Sequence, residues 1–136
     1  WVFDRKRGQL IDFVVSGRSI HQELQRRGHD LVPRLGSALV PIEAATRAML
    51  LLEAPGDTPS GRVALYVCPQ CGDLGCGAVS VRIAREGADM VWRAFAWETD
   101  LADDLDELAN LGPFRFDEAA YRRALMTGPT AAPPSA

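Results

Sequence analysis

VALYVCPQCGDLGCGAVSVRIAREGADMVWRAFAW, Val63 to Trp97, decides how this chain is built. Arg62 to Val67 is a short apolar run with strand-forming residues and predicts a first strand. From Val79 onward, Val79, Val81 and Ile83 alternate with Ser80, Arg82 and Ala84. That period of two belongs to a strand with one buried face. Glu86-Gly87-Ala88-Asp89 suits a hairpin turn, because Gly87 can take positive φ without a Cβ clash. Met90 to Trp97 then reads as the returning strand, with Trp92 and Phe95 on opposite faces if the strand is regular. The stretch predicts a three-stranded antiparallel meander. Its first connection holds every cysteine of the chain, Cys68, Cys71 and Cys76.

Upstream, Gln9 to Val15 predicts another strand, and Ser16-Gly17 supplies turn chemistry. Ser19 can cap a helix over Ile20 to Arg27, with Glu23 near its first turn and Gly28 as its stop. His29 to Pro41, with two prolines and a glycine, reads as irregular. Ile42 to Leu52 is open between helix, favoured by Ala44, Ala45 and Ala48, and a terminal strand at Met49-Leu50-Leu51-Leu52. Ala54 to Gly61 is a loop. Downstream, Leu101, Leu105 and Leu108 fall at i, i+4 and i+7 and predict an acidic helix ended by Gly112-Pro113. Asp117 can cap a last helix from Glu118 to Met126, closed by Gly128-Pro129. The expected fold is α+β: an antiparallel sheet with helices packed on one face. Residues 1–128 are expected to form a single domain, and 129–136, rich in Pro, Ala and Ser, a disordered tail.

Composition narrows the function. A chain of 136 residues, 47% hydrophobic, can fill a core without disulfide staples. Net charge is −3, which argues against nucleic acid as a partner. The charge is uneven: Arg5, Lys6, Arg7, Arg18, Arg26, Arg27 and Arg34 make a basic first quarter, while Glu98, Asp100, Asp103, Asp104, Asp106 and Glu107 make an acidic segment. These read as solvated faces or as a patch for a protein partner. No apolar run reaches the roughly 18–20 residues of a membrane span. Trp1-Val2-Phe3-Asp4 lacks a signal-peptide pattern, and the missing initiator Met suggests a processed start. An odd cysteine count suits a reducing, cytoplasmic setting better than a secreted disulfide scaffold. Lys6 is the single lysine among 15 basic residues, a bias that fits a GC-rich bacterial genome. The sequence contains no GxSxG, GxxxxGK or GxGxxG.

The cysteine loop carries the chemistry. In Cys68-Pro69-Gln70-Cys71-Gly72, two thiols three residues apart can grip one ion if the backbone turns tightly between them. Pro69 fixes φ in that turn, and Gly72 permits a left-handed backbone with amides aimed at sulfur. Cys76-Gly77 repeats half of the pattern. Soft thiolates at this spacing point to zinc first. The fourth position is open: Asp73 lies inside the loop, His21, His29 and Glu98 could reach it only through the fold, and water or nothing are the remaining options. CxxC is also a dithiol redox motif, but Asp73 would raise a thiolate's pKa. A third reading makes the cysteines small buried hydrophobes in a glycine-rich hairpin. His21 falls on the polar side of its helix and His29 just beyond it, where surface or capping roles are usual. Trp92, Phe95 and Trp97 read as packing residues.

Val67 to Gly77, VCPQCGDLGCG, followed by a hairpin containing Val91-Trp92, resembles a family of small uncharacterised bacterial proteins. These carry a CPxCGDxGCG loop and are sometimes labelled oxidoreductase by automated naming. The likeness runs loosely from Gln9 to Tyr121 and includes Gly112-Pro113-Phe114 and Phe116-Asp117. It implies a shared fold and loop, and no reaction. Two functions follow from the residues: a zinc-binding module that serves structure or a protein partner, or an enzyme using the CxxC loop in thiol-redox or metal-dependent chemistry.

Overall fold

Three strands in meander order form the centre of the molecule: β6 (Val63–Val67), β7 (Ala78–Glu86) and β8 (Asp89–Glu98). The structure, a computed structural model, describes residues 2–4, 10–34, 40–68, 77–99 and 103–127. β7 and β8 pair antiparallel from Glu86↔Asp89 at the hairpin to Ala78↔Glu98 at the far end, and β6 pairs antiparallel with β7. Gly87 closes the hairpin with φ of 62°, as its place in the sequence predicts.

Short strands complete the sheet in the order β10-β8-β7-β6-β5, with β9 also paired to β8. β5 (Val32–Pro33) adds to β6, β10 (Phe114–Asp117) pairs with the start of β8, and β9 (Asp103–Asp104) pairs with its end. Two small antiparallel pairs precede it: β1 (Val2–Asp4) with β2 (Leu10–Asp12), and β3 (Val14–Val15) with β4 (Arg18–Ser19). The run predicted as one strand from Gln9 to Val15 is thus divided at Phe13, whose ring is fully buried. The predicted irregular stretch from His29 contains β5, because edge hydrogen bonds to β6 order even two residues.

The helices α1 (Ile20–Arg26), α2 (Val40–Leu50) and α3 (Glu118–Thr127) all send side chains into one large core. Ile20, Leu24, Met49, Leu50, Tyr121 and Leu125 meet Val63, Leu65, Tyr66, Val79, Val81, Met90, Trp92 and Phe95 there. The opposite face buries a smaller cluster of Ala64, Val67 and Ala78. The α+β class and the antiparallel sheet hold as expected. Among the described residues no helix is long and apolar enough to cross a membrane.

Capping follows the sequence. Ser19 accepts from the Gln22 amide at 3.1 Å, and Asp117 Oδ2 from the Ala120 amide at 2.9 Å. The segment left open between helix and strand is helical to Leu50. It ends in a Schellman motif: Glu53 N–H bonds Ala48 O and Leu52 N–H bonds Met49 O, with Leu52 at φ of 60°.

Three expectations are corrected. Leu105 and Leu108 do not share an acidic helix: Asp103–Asp104 pairs with Trp97–Glu98, and a 3-10 turn covers Asp106–Leu108, while Leu101 lies outside the described residues. Strand pairing satisfies those backbone groups instead, and the proposed stripe is split, with Leu108 buried and Leu105 exposed. His21 is buried, not on a polar face. Trp92 and Phe95 share a face, because the register jumps between Ser80↔Ala96 and Arg82↔Arg93. Ala94 and Phe95 together oppose Val81, and Ala94 takes φ of 55°, so a β-bulge resets the alternation. The predicted tail at 129–136 lies outside the described residues.

Candidate functional site

The cysteine loop leaves β6 at Cys68 and rejoins β7 through Gly77. Val67 pairs with Ala78, so the two ends of the loop stand side by side on neighbouring strands. Cys68 is half-buried and carries a free thiol. Cys71, Asp73 and Cys76 lie outside the described residues. Among the described residues, no three His, Cys, Asp or Glu side chains converge as a metal-holding group.

The end of β8 runs beside this root. Ala78 pairs with Glu98 and Val79 with Trp97. Gly77 packs against the Trp97 indole so closely that an added Cβ would lie 2.3 Å from Cζ2, and its φ is 104°. Glycine is required there on both counts. Strand alternation sends Trp97 to the helix-covered face, with Phe95, and sends Glu98 to the other.

On that second face Glu98 is only 3% exposed, yet its oxygens are well supplied. Oε1 accepts from Ser60 Oγ and Ser80 Oγ, each at 2.8 Å, and Oε2 accepts from the Ser60 amide at 3.0 Å. Burial alone would raise the carboxyl pKa. Hydrogen bonds from Ser80, Ser60 and Thr58 outweigh it and hold the pKa below the usual value. Glu98, one of the residues that could have reached the cysteines through the fold, is therefore engaged in tying segment 58–60 to the sheet.

The two histidines part company. His21 stacks on Tyr66 in the core, ring centroids 6.4 Å apart. His29 stacks on Trp97, at 5.0 Å and 29° between planes, and its Nε2 lies 3.2 Å from Glu107 Oε1. Its backbone is fixed by the end of α1. Gly28 takes φ of 87°, Gly28 N–H bonds Gln25 O, and His29 N–H bonds Leu24 O at 2.9 Å. This is a Schellman motif in which glycine occupies the left-handed position and His29 follows it. The sequence offered Gly28 as a helix stop. The Trp97–His29–Glu107 group was not foreseen, because its members come from three distant segments; the one local signal was a histidine directly after a capping glycine.

Among the described residues, the arginines of the basic first quarter are paired internally, and Arg5, Lys6 and Arg7 lie outside those residues. Arg18, Arg26 and Arg27 converge on Glu23 at 3.6, 2.9 and 3.5 Å, and Arg34 bonds Asp57. No protein-family model matches the chain, and neither a curated protein nor a solved structure matches it.

Proposed function

We propose that this chain is a small bacterial, cytoplasmic module whose Cys68, Cys71 and Cys76 hold one zinc ion at the end of the sheet. The ion serves the structure of a surface that engages a protein partner. One observation supports this reading most. Val67 pairs with Ala78, so the loop starts and finishes at adjacent strands, with Cys68 directly after Val67 and Cys76 directly before Gly77 in the chain. A loop closed at its root needs less conformational entropy to gather its three thiols than an open one. The free thiol of Cys68 fits such a donor set. Zinc, when bound, would supply a cross-link through thiolates, with three sulfurs of its usual four ligands given by the loop. The fourth position falls to a group outside those sulfurs, and Asp73 is the one the loop itself offers.

Metal analysis of reduced protein prepared without an affinity-tag metal tests this directly. One equivalent of zinc per chain is expected, and Cys68→Ser should lower both zinc content and melting temperature. Less than about a tenth of an equivalent, or a Cys68→Ser melt identical to wild type, would sink the proposal.

A further inference from the structure

We propose that a notch along the edge of β8 binds a monocarboxylate with an apolar body, its acid group held by Arg93 and Arg82. This goes beyond the zinc reading and uses no residue of the cysteine loop. The notch follows from the sheet. β10 covers β8 from Asp89 to Trp92 and β9 covers it at Trp97 and Glu98. Residues 93–96 therefore have no strand beside them on that edge among the described residues. Residues 105–113, between β9 and β10, close round the gap without filling it and leave a cavity of about 670 Å³. Small-molecule sites usually measure about 300–1,000 Å³. Val91, Phe95, Leu108, Leu111 and Phe114 give the cavity an apolar lining, and Leu105, 44% exposed, stands among them. Arg93 and Arg115 are its charged lining residues.

The cations here are arranged at a cost. Arg82 and Arg93 stand directly opposite each other on β7 and β8, on the face turned from the large core. Like charges so placed destabilise a sheet. Arg62 brings a third guanidinium to the same stretch, where its Nε donates to Ala94 O at 3.0 Å. Arg93 has Glu86 as a partner, and Arg85 on the other face has Glu118. Arg82 is exposed, and its guanidinium makes no ion pair or hydrogen bond among the described residues. An anion between Arg82 and Arg93 turns their repulsion into charge-assisted contacts. The surroundings also limit its charge. Glu86 and Asp89 each lie 3.0 Å from Arg115, beside the cavity. Their carboxylates repel a second negative charge, which favours a monocarboxylate over a phosphate or a dicarboxylate. The apolar body then takes the cavity lining, Leu105 included, out of contact with water.

Decanoate, kept below its micelle-forming concentration and added to the nitrogen-15-labelled full chain, tests the site. Saturable amide shifts should map to Arg82 and to residues 91–95 and 105–114. Decanol, decyltrimethylammonium and decyl phosphate should all bind more weakly. Arg82→Gln should weaken decanoate about tenfold at an unchanged or higher melting temperature, because it also removes the opposed charge. Ala109 is an exposed lining residue, so Ala109→Trp should fill the cavity and abolish binding without lowering the melting temperature. Absence of a saturable shift, shifts mapping elsewhere, or decanol binding as tightly as decanoate overturns the proposal. So does wild-type affinity in either variant. Tighter binding of decyl phosphate overturns the monocarboxylate assignment.

Discussion

At Glu98 the chain buries a carboxylate and keeps it charged by surrounding it with donors. Ser60 lies 38 residues away in sequence and Ser80 lies 18 away, which is why residue type and local pattern could not announce this group. The strand alternation that turns Glu98 from Trp97 was legible in outline, but its partners were not. Because the folded-state pKa is lowered, Glu98 contributes stability that is fully present above its ordinary value of 4.5 and is lost as pH falls through the lower folded value. Glu98→Gln replaces one accepting oxygen by an NH₂ group, which must face a donor. The variant should lose about 1–3 kcal/mol near neutral pH. Urea unfolding at neutral pH and near pH 3 should show the wild-type advantage shrinking in acid; a gap independent of pH would contradict the argument.

Elements that carry their own signals were readable, and elements created by a neighbour were not. Ser19, Gly28 and Asp117 mark helix ends through local chemistry and do so in the structure. β5, β9 and β10 hold two to four residues each and exist because β6 and β8 offer free edges. The acidic stretch after β8 shows the competition: a helical leucine spacing gave way to pairing with that edge. At the end of α2 a leucine occupies the left-handed position where glycine is preferred. Leu52 is 39% exposed and adds little to the core, so Leu52→Gly should raise stability by about 0.5–1 kcal/mol. A thermal melt that drops instead would show that Leu52 packs more tightly than its exposure indicates.

Across the whole molecule, one buried chain of contacts joins sheet and helices. Trp92 Nε1 donates to Tyr121 Oη at 3.2 Å, and that hydroxyl donates to Leu50 O at 2.6 Å. A single phenol thus links β8, α3 and the end of α2, with the rings of Phe13, Phe95 and Phe116 set edge-on around Trp92. Tyr121→Phe removes both of these buried hydrogen bonds. It should cost about 2–4 kcal/mol, with tryptophan fluorescence and circular dichroism reporting one shared transition at a lower midpoint. Non-coincident transitions would mean that the three elements are not coupled through this residue. The meander at the centre was legible because its alternation is long; which residues face the helices past its middle was not. That depends on Ala94, the extra residue of the bulge. In the language of waves, Ala94 is a half-period phase shift placed midway along β8. Removing it would leave Trp92 in place and invert everything beyond, carrying Glu98 toward His29 and Trp97 toward Ser80. The hydrophobic core and the cysteine-loop end of this sheet are kept in step by one small residue that touches neither chemistry.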